Sequence, residues 1–312
     1  MHMNAKTIFI TIILLTTTIP SSIKSEIEEP SMRGTLILAT SCSEGVVMCS
    51  DTRLIQGYKK PVSYDHVQKL RPIGLQGMYA ISGIPIILDE SDTATSIMQQ
   101  RRLFDVNKIV DDFFKEHAPK DLDKNILELK KILINKTVEF FYSHPKIADI
   151  LIENHAVNNT DKSLYQILIY VVNNHKEISG YKLNGFLING SESRSFKVKV
   201  ERFTKDFFTI ADLSYNGRIE VINKIFKEHD PNFNDILRDP DIKLFSSQLK
   251  RNKSTKDISV KQVTTLQEKL IKITNDKLPL LGLEVSVGPY CDCAILNPKS
   301  GFKWLKKDSS KK

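Results

Sequence analysis

Tryptophan occurs once in this chain of 312 residues and cysteine four times, with 13 Gly and 12 Pro. That is too little Gly and Pro for a collagen or a low-complexity linker. No repeat with a period of about 20–50 residues is present, which sets aside solenoids and propellers. No apolar run reaches the roughly 20 residues that a spanning helix needs, so a bundle of membrane helices is excluded. The serine-hydrolase elbow Gly-x-Ser-x-Gly is missing. The seven His are scattered without ligand spacing and no Cys-x-x-Cys stands near a His pair, so neither a metal nor a cofactor is expected. Hydrophobic residues at 41% and charged residues at 26% belong to a globular chain, not a disordered one. The net charge of +8 is spread out, with a cluster at Lys303, Lys306, Lys307, Lys311 and Lys312. Without an aromatic-interleaved basic motif, no nucleic-acid partner is expected.

Residues 1–25 read as an export signal. His2 and Lys6 precede an apolar run from Ile8 to Ile19, and Pro20-Ser21-Ser22 breaks it. The expectation is a secreted or periplasmic protein, with no membrane contact once the signal is removed. Residues 26–34 then form a short pro-segment. Export makes the even set Cys42, Cys49, Cys291 and Cys293 readable in two ways: a disulfide joining the two ends of the chain, or buried thiols. Cys291 and Cys293 share one face of a strand, because strand side chains alternate.

Period-2 patterning places strands at 35–41 and 45–50 around the tight turn Cys42-Ser43-Glu44, then at 62–71 and 76–82. Helical periodicity follows over 105–114 and 123–142. Strands return at 165–173, 178–183 and 195–202. Helices are expected at 214–227 and 258–275, and a last strand pair at 290–296 and 302–305. The polar stretch 230–256, with its Asp230-Pro231 and Asp239-Pro240 steps, reads as a surface insertion. Residues 308–312 read as a basic tail. Strands and helices grouped in blocks predict an α+β chain, and a four-layer αββα sandwich over 35–307 fits them.

Five features carry the chemistry. Gly34-Thr35 opens the first strand, Gly45 makes the hairpin, and Asp51-Thr52-Arg53 closes the second strand, sixteen residues after Thr35. Val62 to Leu70 brings Lys69, and Ser82-Gly83 follows fourteen residues later. In this order and spacing the segment 34–90 resembles the start of a proteasome β-type subunit, a family of N-terminal-nucleophile (Ntn) threonine hydrolases. Ser286-Val-Gly-Pro-Tyr-Cys resembles a late Gly-rich turn of the same fold. The resemblance implies Thr35 as nucleophile after cleavage behind Gly34, Asp51 and Lys69 as its partners, and Gly83 as the oxyanion donor. It makes Arg53 and Ser286 supporting residues. It implies a substrate pocket of Leu54, Val67, Ile81 and Pro85, hence cleavage after hydrophobic residues unless Arg71 intrudes. It also implies a homo-oligomer.

The chemistry is coherent on its own terms. A threonine hydroxyl needs a base, and cleavage before Thr35 would supply one, an α-amine of pKa about 7.7–8.0. Lys69 within about 4–6 Å would favour the alkoxide and the neutral amine. The expected activity is hydrolysis of a peptide or a small amide. The alternatives are an amidase confined to small amides, and a non-catalytic scaffold that keeps the fold alone.

Overall fold

The computed structural model describes residues 31–33, 35–56, 62–89, 100–117, 122–155, 163–188, 195–203, 213–217, 219–228, 230–250 and 258–310. Residues 1–30, Gly34 and Lys311-Lys312 lie outside the described residues, and with them the export signal, most of the pro-segment and the end of the tail.

The chain is mixed α and β. Its strands begin with β1 (Ser31–Arg33), β2 (Leu36–Cys42), β3 (Gly45–Asp51), β4 (Leu54–Gln56) and β5 (Val62–Tyr64). They continue as β6 (Leu70–Ile73), β7 (Gly77–Gly83), β8 (Ile86–Leu88) and β9 (Arg102–Asp105). Three helices follow, α1 (Val106–Glu116), α2 (Leu122–Ser143) and α3 (Pro145–His155). Then come β10 (Tyr165–Val172), β11 (Ile178–Ile188), β12 (Ser195–Phe203) and β13 (Leu213–Gly217). Four more helices, α4 (Glu220–Asn223), α5 (Asn234–Leu237), α6 (Pro240–Lys250) and α7 (Val260–Lys277), precede the hairpin β14 (Cys291–Asn297) and β15 (Gly301–Lys307).

Among the described residues three antiparallel sheets result, ordered β5-β4-β1-β8-β9, β12-β11-β10-β7-β6 and β13-β2-β3-β14-β15. The two larger ones bury both faces, and strand alternation sorts their side chains. In β2, Leu36 and Leu38 join the core that α7 covers, with Val263, Leu266 and Leu270. Their neighbours Ile37 and Ala39 point the other way and pack with Met78, Ala80, Leu168 and Tyr170 of the second sheet. On that sheet's far face Tyr79, Ile81, Ile167 and Ile169 meet Val110, Phe113, Leu129 and Leu133 of α1 and α2. Strands covered on both faces read as near-continuous apolar runs, as Leu36-Ile37-Leu38-Ala39 does.

Two expectations are corrected. The strand expected over 62–71 is two strands, split at His66, whose φ of 63° takes the backbone into the left-handed region. The helix expected from 214 begins at Glu220, and Leu213–Gly217 pairs with β2 instead. The stretch 230–250 is helical and exposed on one side, while Phe233, Ile242 and Phe245 are buried in the core that α7 covers. Residues 251–256, its remainder, lie outside the described residues. The start of the basic tail is also structured, a 3-10 turn at Asp308–Ser310 with Asp308 buried.

Candidate active site

The turn between β2 and β3 brings the beginning of β2 beside the end of β3, with Ile37 opposite Ser50. Thr35, buried at 1% exposure, therefore sits next to Asp51, buried at 0%. The Leu36 N–H donates to Asp51 Oδ1 at 2.6 Å. Asp51 Oδ2 accepts from the Arg53 N–H and the Gly288 N–H, both at 3.0 Å. Lys69 Nζ completes the shell, 3.1 Å from Oδ1 and 3.0 Å from Oδ2. A buried carboxylate is tolerable only when paired and hydrogen-bonded, and this one takes three backbone donors and an ammonium. Lys69 also donates to the Arg53 carbonyl.

Lys69 arrives from the second sheet. It immediately precedes β6, which pairs with β7 as Leu70 opposite Ala80, so Lys69 falls beside Ile81. Burial holds its amine below the usual lysine range, and the Asp51 charge opposes that shift. The site thus forms where the ends of both large sheets meet, with Thr35 and Asp51 from one and Lys69 from the other.

Gly83 ends β7 at φ +90°, and a Cβ there would stand 2.5 Å from the Leu164 carbonyl oxygen. Only glycine takes this conformation in this space. Arg53 does not pair with Asp51 through its side chain. It forms a two-pronged bridge to Asp65, Nε to Oδ1 at 2.8 Å and Nη2 to Oδ2 at 3.0 Å. That guanidinium holds the Asp65 carboxyl below its ordinary range. Ser286 is buried in the turn that delivers Gly288, two residues before it. Gly34 lies outside the described residues.

Leu54, Val67, Ile81 and Pro85 line one cavity of about 160 Å³, together with Lys69, Arg71 and Arg102. The sequence reading anticipates the four apolar positions and Arg71, but not Arg102, which lies on a four-residue strand without a usable pattern. It also misses the Gly288 N–H, although the Gly-rich turn around it is legible. The largest omission is β1. Residues 31–33 form the middle strand of the smallest sheet, Arg33 opposite Ile55 of β4 and Ser31 opposite Ile87 of β8. The segment just ahead of Thr35 therefore lies as an extended strand between two others.

Cys49 and Cys293, directly opposite on β3 and β14, form a disulfide, and Cys42 and Cys291 are buried free thiols. Cys291, Cys293 and Glu268 bring metal-type ligand atoms within 4.8 Å of one another, but the disulfide occupies the Cys293 sulfur. Among the described residues no helix is long and apolar enough to cross a membrane. No family model and no curated protein matches the chain.

Proposed function

We propose that this protein is a self-processing threonine hydrolase of the Ntn class, cutting peptide bonds, and that its stacked sheets and covering helices are the four-layer αββα sandwich of that class. The observation that carries the reading is the buried Lys69–Asp51 pair at the Thr35–Leu36 peptide link. A buried ion pair is a weak device for stability, because desolvation offsets much of the attraction. Set beside a hydroxyl at a Gly-Thr junction, it has a chemical use.

In processing, Thr35 Oγ attacks the Gly34 carbonyl carbon. The C–N bond breaks as the nitrogen takes up the hydroxyl proton, leaving an ester between Gly34 and Thr35. Water cleaves the ester, releasing the Gly34 carboxylate and restoring the hydroxyl beside a free α-amine. In turnover that amine takes the Oγ proton while Oγ attacks the substrate carbonyl, and passes the proton to the departing amine as the C–N bond breaks; water then hydrolyses the acyl ester left on Oγ, releasing a carboxylate and restoring the hydroxyl. Lys69 stabilises the developing negative charge. The Gly83 N–H is the oxyanion donor, a group typically worth about 3–4 kcal/mol in the transition state.

The position of β1 favours peptides over small amides. When residues 31–33 depart, β4 and β8 are left with unpaired main-chain groups, and an extended peptide can replace β1 by strand addition. The disulfide is consistent with an exported protein. A peptide epoxyketone tests the proposal. It should attach to Thr35 of the mature chain and fail on Thr35→Ala. A wild-type chain that never reacts would remove the catalytic reading and leave a scaffold.

A further inference from the structure

We infer that the side chain preceding the bond cut in this cleft is acidic, a specificity that rests on the hydrolase reading above. Its apolar lining leads to an expectation of hydrophobic substrates, but the charged side chains of that lining are all cationic. Among the described residues the lining includes three cations, Lys69, Arg71 and Arg102, and no carboxylate.

Lys69 is committed to Asp51 and the Arg53 carbonyl. The two arginines are held differently. Arg71 Nη1 donates to Asp111 Oδ2 at 2.6 Å, while Asp111 Oδ1 accepts the Tyr79 hydroxyl at 2.5 Å. One carboxylate is thus shared between a guanidinium and a phenol. Arg71 Nε is buried and has no hydrogen-bond partner among the described residues. Arg102 Nη1 pairs with Asp105, whose other oxygen caps α1 by accepting the Lys108 N–H at 3.2 Å. Both acids therefore have structural duties outside the cavity, and neither lines it.

A glutamate side chain matches this arrangement atom by atom. Its methylenes lie against Leu54, Val67 and Ile81, and its carboxylate faces guanidinium groups, the donors best suited to carboxylates. A leucine side chain would strip water from those groups and return nothing for it. A lysine side chain would meet like charge. Self-processing sets no competing demand on the cavity, because the residue before Thr35 is Gly34 and has no side chain.

The test uses the mature protein with fluorogenic tetrapeptides that differ only in the residue before the cut bond: Glu, Leu or Lys. The expected kcat/KM for Glu exceeds that for Leu by at least about tenfold, with Lys the slowest. Arg71→Met and Arg102→Gln should each lower the Glu-to-Leu ratio by about tenfold. Arg102 is more exposed than Arg71, so Arg102→Gln remains informative if Arg71→Met unfolds. A wild type that prefers Leu, or a ratio unmoved in the folded variants, overturns the inference while leaving the hydrolase reading intact. No cleavage of any peptide and no epoxyketone adduct on Thr35 would overturn both together.

Discussion

Among single residues, Lys69 bears most directly on both stability and processing. Removing it leaves Asp51 buried with backbone donors alone, and breaking a buried pair in this way costs about 3–5 kcal/mol. Lys69→Ala should therefore lose stability in denaturant titration and remain an uncut precursor by intact mass. Lys69→Arg keeps the charge but spreads it over a planar fork that cannot occupy the position of a compact ammonium, so it too should stay uncut. The pH dependence has a definite sign. With its folded pKa held below the ordinary lysine value, Lys69 loses its proton in the native state at a pH where the unfolded chain still keeps it. Over that window the unfolded state binds more protons and stability rises with pH, while processing slows as the ammonium disappears. A stopped processing assay and a denaturation series across alkaline pH should thus move in opposite directions. Processing that keeps accelerating up to about pH 10.4, the ordinary lysine range, would contradict this.

At the scale of elements, two glycines position the site. Gly83→Ala would force a Cβ to 2.5 Å from the Leu164 oxygen at a φ of +90°. A cost of about 1–3 kcal/mol in thermal denaturation is expected, along with retained precursor. Gly288→Ala would place its Cβ 2.8 Å from Arg53 Cβ, so the turn or Arg53 must shift, and lower stability in thermal denaturation is expected. The long elements were legible because burial imposes their period: α2, α7 and the strands β2, β3 and β10 lie within a few residues of where the apolar pattern puts them. The short ones were not. β1, β4 and β8 have three residues each and β9 four, too few to repeat a two-residue pattern, and their pairing is decided by partners distant in sequence. β13 is hidden in the sequence because its five residues run directly into the helical pattern that begins at Glu220. At the site, Thr35, Asp51, Lys69 and Gly83 were legible as types at a spacing. The Asp65 partner of Arg53, the Gly288 donor and the slot held by β1 arise only from tertiary approach.

At the scale of the whole molecule, the fold carries a disulfide and the proposed activity requires one cleavage. The Cys49–Cys293 disulfide joins strands 244 residues apart in sequence, and closing so long a loop restricts the unfolded chain. Cys49→Ser with Cys293→Ser should lower stability by about 2–5 kcal/mol. Burial pushes the Cys291 thiol up to about 12 and raises that of Cys42 as well, so neither should react with a thiol reagent in the native protein. In denaturant without reductant two thiols should appear, and with reductant all four. Four reactive thiols without reductant would remove the disulfide. The central claim is that the chain cuts itself to expose Thr35. The N-terminal residue of the purified mature protein, by sequencing and intact mass alongside Thr35→Ala, tests it most directly. The wild-type chain should begin at Thr35, and the Thr35→Ala chain should retain the segment before it. A wild-type protein that keeps a stable start near Glu26, or a Thr35→Ala protein cut at the same bond, would contradict it.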